Sequence, residues 1–218
     1  MPKNIITTVY EFDELSDKAK EKAREWFRQY VFQDSSDWEF VYQDANTSAE
    51  LMGITIAQRK VESVSGKTFY EPEIYYSGFW SQGDGACFKG NYAFVENALA
   101  RVAGHAPVDE ELHRIASEFD RLQAKYAGRI TASVTLMNSH YSHSNTMQVD
   151  SCFVDDDGDE LNLADEDADG LQQLMRDFAN WIYRQLEKEY NYQSSDETID
   201  DNIRANEYTF TENGKREG

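Results

Sequence analysis

Residues 109–137, DEELHRIASEFDRLQAKYAGRITASVTLM, decide the fold class because they join a helical pattern to a strand pattern. The first part predicts a helix over about 109–126, since its apolar residues recur at helical spacing. That stripe consists of Leu112, Ile115, Ala116, Phe119, Leu122 and Tyr126. The acidic first turn complements the helix dipole. Residues 129–137 are rich in β-branched side chains and predict a strand.

Further strand patterns lie on both sides of this stretch, and helical patterns lie nearer to both chain ends. Strands are predicted at residues 5–12, 54–61, 68–79, 86–94 and 146–154. Helices are predicted after the cap residue Ser16, from Ser36, and over about 171–190. Pro72 cannot donate a ladder hydrogen bond, so its strand is expected at a sheet edge or with a bulge. The pattern predicts an α+β fold, with a mainly antiparallel sheet of about five to six strands flanked by helices from both chain ends.

Length and composition predict a single domain, residues 1–218, with an acidic C-terminal third. The chain has 218 residues, of which 40% are hydrophobic, and this is enough to form a core. No run is long enough to span a membrane and the N-terminus lacks a signal-peptide pattern, so we expect a cytoplasmic location. Cys87 and Cys152 lack the spacing of a zinc site, and we expect them to be buried reduced thiols.

The strongest compositional signal is the excess of acidic residues. The chain has 41 Asp and Glu against 21 Lys and Arg, a formal charge of −20. Residues 150–218 alone hold 20 acidic and 6 basic residues. Such a field repels nucleic acid and attracts basic surfaces and cations. We therefore expect the partner to be a basic nucleic-acid-binding protein or nuclease complex, not nucleic acid itself and not a membrane. The oligomeric state stays open.

The acidic third contains the residues that we expect to form a partner-binding surface. Duplex DNA carries about one negative charge per 1.7 Å, and a protein surface of similar charge density would occupy a groove built for DNA. The alternative is a solvated segment that raises solubility and favours the helix after it. The expected surface consists of Asp155, Asp156, Asp157, Asp159, Glu160, Asp165, Glu166, Asp167, Asp169, Asp196, Glu197, Asp200 and Asp201.

Part of this segment resembles a calcium-binding loop in its spacing. Asp155, Asp157 and Asp159 fall at the first three ligand positions of an EF-hand loop. Glu160, however, occupies the position where that loop requires glycine. We therefore expect adventitious binding of divalent cations here and no true EF-hand.

A second candidate site is a ligand pocket formed by two loops. The segment YYSGFWSQGDGACFKG, residues 75–90, places two glycines around an aspartate between aromatic strands, and HYSHS at 140–144 carries two histidines. Glycines permit a close approach of the backbone to a ligand. The alternative is an ordinary hairpin whose Asp-Gly pair supplies the turn. The pocket residues would be Tyr76, Trp80, Gln82, Asp84, His140 and His143, with Phe79 as a further apolar wall.

The chemistry of this pocket stays undetermined at the level of sequence. The two histidines and the aspartate have the atoms for a divalent metal, but no third strong ligand is near them in sequence. Cys87 with His140 or His143 has the composition of a nucleophilic pair, although a strand thiol is more often simply buried. We expect no cofactor, and a divalent cation is the alternative.

Four segments together resemble a family of proteins from phages and prophage regions of bacteria. They are YEFDELSDKAKEKAREW at 10–26, YYSGFWSQGDGACF at 75–88, HYSHSNTM at 140–147 and FANWIYRQLEKEYNY at 178–192. Members are sometimes labelled as antitoxins of toxin–antitoxin systems. The resemblance covers roughly residues 5–212. It implies a small cytoplasmic protein carried by mobile elements, and it assigns no catalytic residue.

Charge and resemblance together predict a non-enzymatic inhibitor that mimics nucleic acid. Such a protein would bind a basic nucleic-acid-handling host protein through its acidic C-terminal third, as an anti-CRISPR protein, an anti-restriction protein or an antitoxin. The alternative is a small-ligand or divalent-metal-binding protein that uses the loops at 82–84 and 140–143. In that case it would bind or hydrolyse a nucleotide signal.

Overall fold

The computed structural model describes residues 8–32, 38–63, 66–137 and 141–217. The chain divides into two compact units. The terminal unit consists of Met1–Trp38 and Glu187–Gly218, and the central unit of Glu39–Leu186. The acidic C-terminal third, predicted from composition to be one region of a single domain, is therefore divided between the central unit and the terminal unit.

The described residues form six α-helices and twelve short strands. The helices are α1 (Asp17–Phe27), α2 (Glu39–Leu51), α3 (Ala98–His105), α4 (Glu110–Lys125), α5 (Asp165–Gln193) and α6 (Asp196–Ala205). The strands are β1 (Tyr10–Glu11), β2 (Ile54–Ile56), β3 (Gln58–Glu62), β4 (Thr68–Pro72), β5 (Ile74–Tyr76), β6 (Ala86–Phe88), β7 (Gly90–Ala93), β8 (Ile130–Leu136), β9 (Met147–Val154), β10 (Glu160–Asn162), β11 (Thr209–Phe210) and β12 (Arg216–Glu217).

The central unit contains a five-stranded antiparallel sheet in the order β10-β9-β8-β7-β2. Its middle strand, β8, alternates buried Ile130, Ala132 and Val134 with more accessible residues, as expected for a strand that covers a core on one face. Helix α4 buries most of the predicted apolar stripe, and Asp109 caps its N-terminus. The α+β fold with a mainly antiparallel sheet is confirmed.

Three segments predicted as single strands are each divided in two. The breaks fall at Ala57, Glu73 and Lys89, and these three residues bind one another in a ring of backbone hydrogen bonds. The Ala57 N–H donates to the Lys89 carbonyl at 2.8 Å, the Lys89 N–H to the Glu73 carbonyl at 3.0 Å, and the Glu73 N–H to the Ala57 carbonyl at 2.7 Å. Beyond this junction lie two further ladders, β3 with β4 and β5 with β6. Pro72 lies at the end of the β3–β4 ladder, opposite Gln58. This sheet has two strands, so β4 is an edge strand, as predicted for a strand that contains proline.

The terminal unit joins segments from the two chain ends. Ser16 caps α1 as predicted, through its side chain and the Ala19 N–H. Strands β1, β11 and β12 form a small antiparallel sheet, and α1 and α6 contribute Ala23, Phe27 and Ile199 to a shared core. The strand predicted at residues 5–12 is limited in the described residues to Tyr10–Glu11, because a 3₁₀ turn begins at Phe12. Ser36, the predicted start of the second helix, lies outside the described residues.

A buried glutamine fixes the end of α4 to the start of the middle strand. Gln123 is 2% exposed, and its amide donates to the Tyr92 hydroxyl and to the Ile130 carbonyl, each at 3.0 Å. Its carbonyl oxygen accepts the Ile130 N–H at 3.1 Å. Removing a partner from a buried polar group lowers the stability of the fold, because water cannot reach the group to replace the lost hydrogen bond.

We expect Gln123→Leu to lower the free energy of unfolding by about 3 kcal/mol or more, because three buried polar groups lose their partner. The control is Gln173→Leu on α5, where an exposed glutamine donates to Asp177 at 2.8 Å. That substitution should change stability by less than about 0.5 kcal/mol. Urea unfolding followed by circular dichroism compares the two variants, and equal effects would contradict this role for Gln123.

Candidate functional site

The glycine-containing loop is organised by Asp84. One carboxylate oxygen of this residue accepts the backbone N–H of Trp80 at 2.8 Å and of Ser81 at 2.6 Å. The Asp84 N–H in turn donates to the Ser81 carbonyl at 3.1 Å. This carboxylate therefore holds the turn, as short Asp side chains often do. Gln82, at the tip of the same turn, is exposed.

The two loops predicted to form a pocket do come together. The Ser77 hydroxyl donates to the Ser142 carbonyl at 3.1 Å. A Cβ atom built on Gly85 would lie 2.7 Å from the Cβ of His143, so glycine is required for this approach. The Nδ1 atom of His143 accepts the Asn145 N–H at 3.2 Å and caps a short 3₁₀ turn. His140 lies outside the described residues.

The aromatic residues of this region form a stack on α5. Tyr76 stacks on Phe79 with ring centroids 5.4 Å apart, and Phe79 stacks on Tyr183 at 5.6 Å. The Tyr183 hydroxyl also donates to the Gly78 carbonyl at 3.3 Å. Trp80, by contrast, is 79% exposed. Tyr76 and Phe79 thus anchor the loop, while Trp80 extends its apolar surface into solvent.

Cys87 does not have the surroundings of an activated nucleophile. The thiol is 1% exposed, and burial raises its pKa, although contacts with Thr146 and Ser142 act in the opposite direction. A raised pKa keeps the sulfur protonated, whereas reactive cysteines have lowered values. Neither Cys87 nor Cys152 forms a disulfide. Cys87 is buried as predicted, whereas Cys152, which was also predicted to be buried, is only partly buried. Within the described part of the chain, no group of three His, Cys, Asp or Glu residues is placed to hold a metal ion.

Lys89, the nearest cation to this region in sequence, forms a cluster with Glu73 and Tyr75. Its ammonium group lies 3.0 Å from Glu73 and 5.7 Å from the Tyr75 ring centroid. The hydrogen bond from Lys89 lowers the pKa of Glu73, and the same contact raises the pKa of Lys89. The sequence did not indicate this cluster, because Glu73 and Lys89 are brought together only by the strand junction.

Several carboxylates of the expected partner-binding surface form hydrogen bonds or ion pairs within the central unit. Asp155 accepts the N–H of Asp157 at 3.0 Å and of Asp159 at 2.9 Å, and so shapes the turn between β9 and β10. Asp156 forms an ion pair with Arg129 at 2.5 Å. Asp167 binds Lys125 at 2.5 Å and accepts the Tyr126 hydroxyl at 2.9 Å. These residues stabilise the segment that carries them.

Six carboxylates of the same segment form no ion pair with a described cation. We call them the acidic corner: Asp157, Asp159, Glu160, Asp165, Glu166 and Asp169. All six are exposed. The first three lie on the β9–β10 hairpin and the last three on the first two turns of α5. Helix α5 begins at Asp165, before the predicted start at residue 171, since acidic residues in a first turn are favourable.

The acidic residues predicted in the terminal unit are mostly paired. Asp200 accepts two hydrogen bonds from Arg24, at 2.7 and 2.8 Å. Asp196 pairs with Arg28, and Asp201 lies 3.0 Å from Arg204. Glu197 lies in the first turn of α6. Long-range pairs such as Arg24–Asp200 join residues far apart in sequence, and no local pattern could have revealed them.

Comparison with known proteins places most of the chain in one family. Residues 38–196 match the model of a family described as Domain of unknown function (DUF8835). The chain belongs to this family. The DUF8835 region contains the whole central unit, the two loops and the acidic corner. No curated protein and no solved structure matches the chain. Among the described helices of the protein, none combines the length and apolar content needed to cross a bilayer.

The pairing of Asp167 predicts a pH-dependent contribution to stability. Its hydrogen bond from Lys125 lowers its pKa, so the contribution is present above the unfolded pKa of about 4 and is lost as pH falls through the folded pKa. We expect Asp167→Asn to lower the free energy of unfolding by about 1–2 kcal/mol at neutral pH. At acid pH the difference from wild type should disappear.

The control for this prediction is Asp169→Asn, on the same helix but in the acidic corner. We expect it to change stability by less than about 0.5 kcal/mol at any pH, because exposed unpaired charges contribute little. Urea unfolding at a series of pH values measures both variants. A cost for Asp167→Asn that stays constant with pH would contradict the ionic origin of the contribution.

Proposed function

We propose that this protein is a non-enzymatic inhibitor that binds a basic nucleic-acid-handling protein through the acidic corner. The proposal rests on a difference among neighbouring carboxylates, because some are paired with other groups and others are exposed and form no ion pair with a described cation. Asp155, Asp156 and Asp167 form contacts that hold the segment in place. The six residues of the acidic corner are exposed and direct their charge to solvent. A surface of this kind attracts cationic partners and repels nucleic acid.

The acidic corner places several carboxylates close together, which suits a groove that normally accepts phosphates. Asp165 and Asp169 are four residues apart on α5, so their Cβ atoms lie about 5–6 Å apart on one face. The turn between β9 and β10 adds further carboxylates from a segment fixed by its own hydrogen bonds. Fixed charges bind with less loss of conformational entropy than flexible ones.

The biological class proposed here is an anti-defence protein or an antitoxin. The resemblance to phage and prophage proteins supports a role in the cytoplasm of a bacterial host, and inhibitors of CRISPR or restriction enzymes act on proteins with basic grooves. An antitoxin that covers a basic nuclease would use the same electrostatic attraction. The acidic corner lies within residues 38–196, the DUF8835 region of the chain.

A second candidate function rests on the contact between the two loops. The hydrogen bond from Ser77 to Ser142 and the close approach of Gly85 to His143 bring the end of the Gln82–Asp84 turn near His143. This arrangement favours a site for a small ligand or a divalent cation, with Trp80 as an exposed aromatic wall. Asp84 already accepts two backbone hydrogen bonds, so a cation would share an oxygen that also holds the turn.

The test of inhibition compares four charge neutralisations with four matched controls. The test variant carries Asp157→Asn, Asp159→Asn, Asp165→Asn and Asp169→Asn. The control variant carries Asp17→Asn, Glu96→Gln, Asp150→Asn and Glu212→Gln, which are exposed carboxylates elsewhere. Both proteins change net charge equally. Each tagged protein is used to capture proteins from bacterial lysate at low salt, and bound proteins are eluted with duplex DNA and then with high salt.

We expect wild type and control to retain a nucleic-acid-binding protein. Duplex DNA should release that protein, because DNA and the acidic corner compete for the same groove on it. The test variant should retain at least about tenfold less, the equivalent of about 1.4 kcal/mol. Equal retention by the test and control variants would refute the acidic corner as the binding surface. A thermal shift with divalent cations that Asp84→Ala abolishes would instead support the second candidate.

A further inference from the structure

The terminal unit contains a groove of about 450 Å³ that the proposed function does not use. It lies between α1 and the turn that joins β11 to β12. The turn is held against α1 by Gly214, whose φ is +79° and whose added Cβ would lie 2.1 Å from the Ala19 carbonyl oxygen. Only glycine permits this approach. This approach brings Lys215 and Arg216 next to Lys22 and Trp26 of α1. Tyr30, in the π-helical segment Arg28–Phe32 that follows α1, lines the same groove.

Arg216 is fixed in the wall of this groove by aromatic rings. Its guanidinium carbon lies 5.7 Å from the Trp26 ring centroid and 5.0 Å from that of Tyr208. One of its nitrogens donates to the Thr209 carbonyl at 3.1 Å. A planar guanidinium held in this way keeps its remaining donors in a fixed orientation, which suits recognition of phosphate or carboxylate.

The charges around the groove differ from those in the rest of the terminal unit. This unit has 17 acidic and 10 basic residues. Its other three arginines all form ion pairs: Arg24 with Asp200, Arg28 with Asp196 and Arg204 with Asp13. Arg216, Lys22 and Lys215, in contrast, form no ion pair with any described carboxylate. Three cations without an ion pair and a single carboxylate, Glu25, therefore line one groove of an otherwise acidic unit.

The remaining walls add an aromatic surface and polar side chains. Tyr30 is 60% exposed, and Trp26 is partly exposed beside it. Gln29 and Asn213 line the groove and offer both donors and acceptors, while the Glu25 carboxylate offers acceptors to a hydroxyl group. Pockets for small ligands commonly have volumes of roughly 300–1,000 Å³ and combine apolar walls with a few polar groups.

We propose that this groove binds a mononucleotide. The phosphate would lie on Lys22, Lys215 and Arg216, the base on the exposed ring of Tyr30, and the ribose hydroxyls next to Glu25. A single nucleotide fits better than a nucleic-acid strand, because the surrounding unit is acidic and repels a polyanion beyond the three cations. The groove residues lie outside residues 38–196, the part of the chain that matches the family model. The proposal is independent of inhibition by the acidic corner.

Isothermal titration calorimetry with AMP, GMP, CMP and UMP tests the site on the full chain. The test variant is Lys22→Glu with Lys215→Glu, and the control is Lys18→Glu with Lys67→Glu, two exposed lysines that do not line the groove. We expect at least one mononucleotide to bind with a Kd below about 1 mM. The test variant should weaken binding about tenfold or more and the control less than about twofold.

Two further arms identify what the groove recognises. Tyr30→Ala should weaken binding of the mononucleotide and leave binding of inorganic phosphate unchanged, since the ring would contact only the base. A single-stranded oligonucleotide should bind no better than the mononucleotide. The proposal is overturned if no mononucleotide binds at about 1 mM, if test and control variants bind equally, or if only the oligonucleotide binds. Circular dichroism of each variant confirms that it is folded.

Discussion

The central unit depends on the junction at which Ala57, Glu73 and Lys89 exchange backbone hydrogen bonds. Buried backbone groups must find partners, and at this point three chain segments leave one ladder and enter another. The ring of bonds satisfies the groups that the breaks would otherwise leave unpaired. It also allows β2 and β7 to join the five-stranded sheet while β3–β4 and β5–β6 form separate ladders. The glycine-containing loop follows directly from β5, so the junction positions that loop as well.

Charge in this protein has two different physical roles. Paired carboxylates such as Asp167 and Asp200 act locally, because they are hydrogen-bonded to fixed partners. The residues of the acidic corner act at longer range, because no described cation compensates them. Fields of this kind extend about 8 Å at physiological ionic strength. Inhibition of a basic protein would depend on the second group and structural stability on the first.

The two proposed sites lie in different units and attract opposite charges. The acidic corner belongs to the central unit and to the DUF8835 region, whereas the groove at Trp26 and Arg216 belongs to the terminal unit and lies outside that region. A basic partner at one surface and an anionic small molecule at the other are chemically compatible in one chain. Neither site requires a catalytic group, and Cys87 is buried with a raised pKa.

Local sequence determined the elements whose signals are contained within a few residues. The caps Ser16 and Asp109, the apolar stripe of α4 and the alternation of β8 follow from side-chain chemistry and spacing, and together they were enough for the α+β fold class. The sequence also located the acidic third and the two loops that touch. Tertiary structure alone decided where strands break, since Ala57, Glu73 and Lys89 are separated in sequence and stabilise one another only when folded. It likewise decided which carboxylates are neutralised, because ion pairs such as Arg24–Asp200 depend on distance in space, and composition counts every acidic residue alike.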